Sequence, residues 1–190
     1  LFFYFSNVCH NDKMGCEVFR LLKFDEMIQQ AVAKFNNIGQ KQQLLLNGNN
    51  KQQKLFIQLD LSLAKLAEDS KRFSVYKKDQ ENIDVKNYKE MITKDVADVM
   101  KYYLLFASVH NWLDIIVIDE EDYNKIASMD ADRDFNQVYL SIKRMMFNGF
   151  YNHSKKDFQF SWKMFLKFGI VDLGVDDKSL SAQFSEINSL

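Results

Sequence analysis

The chain has 190 residues, 47% of them hydrophobic and 27% charged, with a formal net charge of -1 and a pI of about 6.4. That length suits one domain burying roughly 70% of the surface its unfolded chain exposes, without a metal or disulfide staple, and the composition excludes disordered and collagen-like chains. The balanced charge argues against a strongly basic nucleic-acid coat, two cysteines are too few for a disulfide-framed secreted scaffold, and no apolar run approaches the ~18 residues of a membrane span.

These bounds predict a cytoplasmic or otherwise intracellular protein with no transmembrane segment. There are no prolines and only six glycines. Proline breaks helix interiors, so its absence suits long helices joined by polar loops. The abundance of Lys, Asn, Phe and Ile equally fits an AT-rich genome.

Leu1 to Phe5 lack the basic region and small-residue cleavage site of a signal peptide and are read as a first core-facing segment. Cys9, His10 and Cys16 supply three soft ligands where a structural zinc site wants four, so buried thiols are the better reading. From 14 to 38, Val18, Leu21, Leu22, Met27, Ile28, Ala31, Val32 and Phe35 recur in steps of three and four. This predicts a helix ended near Asn36, Asn37 and Gly39. Residues 39–53, centred on Asn47-Gly48-Asn49-Asn50, read as a flexible loop.

Residues 54–78 fit two patterns. Ile57, Leu59, Leu61 and Leu63 alternate as in a strand, while Leu55, Leu59, Leu63, Leu66 and Phe73 form a helical seam. Helix is favoured because the alternation stops at Leu63. Asn82 or Asp84 then caps the clearest helix, 85–113, with Tyr88, Ile92, Val96, Val99, Tyr103, Phe106 and Leu113 on its face. Its length would be roughly 43 Å at 1.5 Å per residue.

Ile115 to Ile118 followed by Asp119 and Glu120 has the look of a Walker B strand, or of a buried helix start. No G-x-x-x-x-G-K-[ST] cradle accompanies it, so ATPase chemistry is not expected. Asp130, Asp132 and Asp134 resemble the opening of a calcium loop, but its sixth and twelfth positions hold Phe135 and Ser141 in place of Gly and Glu. Helical turns are predicted at 123–129 and helices at 135–150 and 158–168. The last of these buries Trp162, Phe165, Leu166 and Phe168 and stops at Gly169, and a short helix follows near 179–187.

Charge is uneven: +5 over residues 1–78, -8 over 79–132, +5 over 133–169 and -3 beyond. Lys143, Arg144, Lys155, Lys156, Lys163 and Lys167, interleaved with Phe147, Tyr151 and Trp162, could grip a phosphate backbone. Arg144 and His153 resemble the Arg/His pair of HEPN-type ribonucleases, which share one helix at R-x4-6-H spacing; here eight residues intervene, Gly149 among them.

Leu63-Ala64-Lys65-Leu66-Ala67-Glu68-Asp69, Asn111-Trp112 with Ile115-Ile116, and Trp162-Lys163-Met164-Phe165 with Phe168-Gly169 resemble, in order, the BH3, BH1 and BH2 segments of the Bcl-2 family. The resemblance covers residues 55–170 and is closest in kind to divergent viral members. It implies a helical bundle that modulates host death or signalling proteins by binding them. Glu68 replaces the usual Asp, Ser70 an apolar anchor, and Leu113-Asp114 the Gly-Arg whose arginine pairs with a ligand aspartate. Ordinary BH3 binding is therefore in doubt, and another surface is favoured.

The expected fold is all-α: one domain of six to eight helices around a long central helix. The runner-up is α+β, with short strands near 1–8, 55–63 and 114–119. The expected function is a non-catalytic protein–protein interaction module whose partner is another protein, a helical peptide included. Leu63, Leu66, Tyr103, Phe106, Asn111, Trp112, Trp162 and Phe165 are its candidate binding residues. No catalytic set, cofactor or metal is expected. The alternatives are nucleic-acid binding through the 143–167 patch and a HEPN-like ribonuclease.

Overall fold

A computed structural model describes residues 22–41, 48–75 and 85–189. Among them the chain forms eight α-helices, one π-helical turn and no strand. The helices are α1 (Phe24–Lys41), α2 (Gly48–Asp69), α3 (Val85–His110), α4 (Leu113–Ile116), α5 (Glu120–Ala127), α6 (Phe135–Tyr151), α7 (Lys155–Lys167) and α8 (Asp177–Asn188). The π turn, Phe168–Asp172, continues directly from α7. The fold is therefore the expected all-α bundle, and the α+β alternative fails where it can be read: 55–63 lies in α2 and 114–119 in α4 and the link to α5.

The centre is α3. Ile92, Val96, Val99, Met100, Tyr103, Leu104, Phe106 and Ala107 are buried on several sides of it. A helix apolar nearly all round must be enclosed: α1, α2 and α8 pack on its backbone, and aromatic side chains of α7 cover the rest. Each of the Val, Leu, Ile, Phe and Met side chains among them contributes about 1.5–3 kcal/mol by leaving water.

The helix ends follow local chemistry. The helix predicted over 85–113 stops at His110 because Asn111 takes a left-handed φ of 56°. Trp112 N–H then donates to the Ala107 carbonyl at 2.8 Å and Asn111 N–H to Ser108 at 3.3 Å, a Schellman closure. Lys71, with φ 55°, marks the end of α2 in the same way, so the helix expected to 78 stops at Asp69. Asp119, Asp134, Ser154 and Asp176 each accept a backbone N–H at the start of the following helix. Within the acidic stretch 119–134, Asp119 and Asp134 are thus helix caps, while Asp122 and Asp132 pair with Lys163 and Lys167.

Two expectations are corrected. Gly169 does not stop α7: the backbone runs through it into the π turn, and an added Cβ would lie 3.0 Å from Val96 Cγ1. Gly169 therefore serves close packing on α3, while Gly174, at φ 69°, turns the chain. Gly149 plays the same part between α6 and α7, where a Cβ would meet Phe158 Cβ at 2.9 Å. The stretch read as a loop over 39–53 is helical at 39–41 and 48–53. The readings at Leu1 to Phe5, at Cys9, His10 and Cys16, and at the Asn82 or Asp84 cap lie outside the described residues, as does 42–47.

Candidate functional site

Six of the eight candidate partner residues are interior. Leu63, Leu66, Tyr103, Phe106, Trp162 and Phe165 are fully buried, so no partner touches them in this conformation. Tyr103 lies 5.3 Å from each of the Phe158, Trp162 and Phe165 rings, and Trp162 Nε1–H donates to the Ile116 carbonyl at 3.0 Å. Asn111 is exposed and closes α3. Trp112 is half-buried, 4.7 Å from the His110 ring and 5.6 Å from Phe158.

The basic stretch is largely neutralised by the acidic block that precedes it. Lys155 pairs with Asp114 at 2.6 Å, Lys163 with Asp122 at 2.7 Å, and Lys167 with Asp132 at 2.5 Å and buried Asp172 at 3.1 Å. Lys163 holds the Asp122 carboxyl below its ordinary range. Lys143 pairs with Asp60 of α2, and Lys156 lies 5.9 Å from the Phe160 ring centroid. Arg144 and His153 do not share a helix. His153 follows the end of α6 at φ 51°, and its ring neighbours His110 at 6.5 Å. Burial, with His153 beside it, pushes the His110 imidazole below its usual pKa. Among the described residues, no group of three or more His, Cys, Asp or Glu side chains is arranged to hold a metal ion. Nor is any helix among them long and apolar enough to cross a membrane.

Two grooves flank α2. The one shared with α3 is charged and has a volume of about 360 Å³. Lys65 Nζ reaches Asp95 at 2.5 Å and Asp69 at 2.6 Å there, and Lys101 pairs with Asp98 at 2.7 Å. Asp95 is 2% exposed and one of its oxygens has no partner among the described residues. Burial drives its pKa up to about 6; Lys65 opposes the shift and the nearby Asp69 carboxylate adds to it.

The second groove, shared with α6, is apolar and has a volume of about 330 Å³. Gln53, Phe56, Ile57 and Asp60 of α2 line one bank and Phe147, Phe150 and Tyr151 of α6 the other. Its rings pack on one another: Phe56 stacks on Phe150 at 4.1 Å and meets Phe147 edge-on at 5.1 Å, while Phe147 stacks on Tyr151 at 5.9 Å. Two of the lining side chains stand largely exposed, Ile57 at 53% and Tyr151 at 69%; Leu140, further along α6, and Leu61, on the side of α2 that lines the charged groove, are exposed as well.

Sequence reasoning missed this groove, although its signal was present. The strand-like alternation of Ile57, Leu59, Leu61 and Leu63 is a helix carrying apolar residues on two faces: Leu59 and Leu63 inward, Ile57 and Leu61 outward. Comparison with protein-family models, curated proteins and solved structures finds no match, so the functional reading rests on this geometry alone.

Proposed function

We propose that the protein is a non-catalytic interaction module that docks an amphipathic helix of a partner protein along the α2/α6 groove. The observation that supports this is the aromatic-walled groove whose lining leaves Ile57 on α2 and Tyr151 on α6 largely exposed. Scattered single apolar residues on a surface need no explanation, but contiguous ones beside a concavity mark a contact site. A helix offering side chains three and four positions apart fits such a channel. The reading keeps the binding role that the Bcl-2 resemblance implies and moves it, since most of the residues carrying that resemblance are buried. The paired state of Lys143, Lys155, Lys163 and Lys167 leaves less positive charge for a phosphate backbone than the sequence alone suggests.

The test is selection of a displayed library of amphipathic helices against the protein and against a variant carrying Ile57→Asp and Tyr151→Asp. Both positions are exposed, so the variant should keep its circular dichroism spectrum. Enrichment on the parent that disappears on the variant supports the reading. No enrichment, or enrichment indifferent to the substitutions, removes it.

A further inference from the structure

We infer that the partner helix docked on the α2/α6 groove is acidic along its flanks; this inference rests on the docking reading above. The two banks run antiparallel, because Asp60 faces Lys143, Phe56 faces Phe147 and Phe150, and Gln53 shares the groove with Tyr151. Residues 48–61 and 135–151, which form those banks, carry four cationic side chains, Lys51, Lys54, Lys143 and Arg144, against the single carboxylate of Asp60. Asp60 is taken up by Lys143. Lys51 lies 4.8 Å from the ring centroid of Phe35 on α1. Lys54 and Arg144 are exposed, and neither has a carboxylate partner among the described residues.

Their positions give the cations a role at the groove. Lys54 stands one helical turn before Ile57 on α2. Arg144 lies between Leu140 and Phe147 on the exposed stripe of α6. Neither cation belongs to the groove's lining; each stands outside it, Lys54 beyond Ile57 on α2 and Arg144 one turn before Phe147 on α6, where the flanks of a docked helix would pass. From Leu140 to Tyr151, α6 rises about 16 Å, enough for three turns of a docked helix. Such a helix would place apolar side chains between the banks and acidic ones over Lys54 and Arg144. Opposite charge at a rim accelerates encounter and rejects partners of the wrong sign.

Aromatic and basic side chains together also suit single-stranded nucleic acid, which needs open ring faces for stacking. Here Phe56 and Phe150 cover each other and one face of Tyr151 lies on Phe147, which leaves the other face of Tyr151 as the open ring of the groove. The exposed edge of the lining on α2 is aliphatic at Ile57. These features favour side chains of a helix over bases.

The test measures binding by fluorescence anisotropy, with three synthetic helical peptides of one apolar pattern whose flanking positions are all Glu, all Lys or all Gln. An oligouridylate serves as a fourth ligand. The Glu-flanked peptide should bind at least about 10-fold more tightly than the Lys-flanked one at low salt, with the gap shrinking as salt screens the rim. In the protein carrying Lys54→Glu and Arg144→Glu the preference should reverse. Equal binding of the Glu- and Lys-flanked peptides, or a Lys preference in the unaltered protein, overturns the acidic-partner inference and leaves the docking reading standing. Failure of all three peptides overturns both. Tighter binding of the oligouridylate than of any peptide, lost in the same double variant, assigns the surface to nucleic acid and overturns the inference.

Discussion

Tyr103 of α3 and Ser161 of α7 share a hydrogen bond of 2.5 Å deep in the interior, and Ser161 Oγ–H donates to the Ile142 carbonyl of α6 at 3.2 Å. Three helices are tied at one buried serine. The direction follows: with its proton committed to Ile142, Ser161 accepts from Tyr103. Burial also pushes the Tyr103 phenol well above its ordinary pKa, keeping it a donor. Ser161→Ala strands the tyrosine hydroxyl and should cost about 1–3 kcal/mol, whereas adding Tyr103→Phe removes the stranded group. Urea denaturation of the two single variants and the double variant checks this. The double variant should lose less than the two single losses summed; simple additivity would show that the pair is not coupled.

Asp95 sets a pH dependence. Its folded pKa of about 6 lies above the ordinary 3.8, so the folded state holds its proton more tightly than the unfolded state does. The stability this supplies is full below pH 4 and is lost as pH rises through 6, up to about 3 kcal/mol. His110, held low, acts in the opposite direction over part of that window, so the informative quantity is a difference between variants. Asp95→Asn should gain on the unaltered protein as pH rises from 4.5 to 7.5. A difference that stays flat across that range contradicts the buried-carboxylate account.

Close helix approach makes one glycine costly to change and another cheap. Gly149→Ala pushes a methyl to 2.9 Å from Phe158 Cβ, whose side chain is locked in the core. It should destabilise by about 1–3 kcal/mol as an overpacking change. Gly39→Ala, inside α1 with nothing within 4 Å of the new atom, should stabilise by about 0.5–1 kcal/mol. Thermal melts of the two variants should shift in opposite directions.

The ion pairs between the acidic and basic blocks make a prediction about charge more than about stability. Partly exposed pairs contribute about 0–1 kcal/mol each. Changing Asp114 and Asp122 together to Asn should therefore leave the melting temperature nearly unchanged while freeing Lys155 and Lys163; Lys167 stays paired with Asp172. Retention on immobilised heparin should rise. Unchanged retention would mean that these acids do not neutralise the stretch.

The helices were legible because α3, α6 and α7 carry apolar side chains at helical spacing that bury together; their punctuation was not, since Asp134 was read as part of a calcium loop and caps α6, and the stop was placed at Gly169 while the left-handed turn is at Gly174. Asn111 was read as part of a motif, yet its role as a left-handed terminator depends on φ, which spacing does not show. The candidate site was less legible. Tyr103, Phe106 and Trp162 attract attention as large aromatics, but size and apolarity mark core and groove alike, and only packing separates them. Asp95 sits among α3's ordinary charges, and its burial comes from α2 closing over it with Lys65. Lysine positions reveal a basic stretch, while Asp114, Asp122 and Asp132, distant in sequence, decide how much of that charge remains.

The docking claim is met most directly by amide chemical-shift mapping of the isotopically labelled protein titrated with a Glu-flanked helical peptide. The account predicts shifts concentrated at residues 53–61 and 140–151, with α5, α7 and α8 silent. Saturating shifts centred on α7 and the 114–132 segment, with α2 and α6 unmoved, would contradict it.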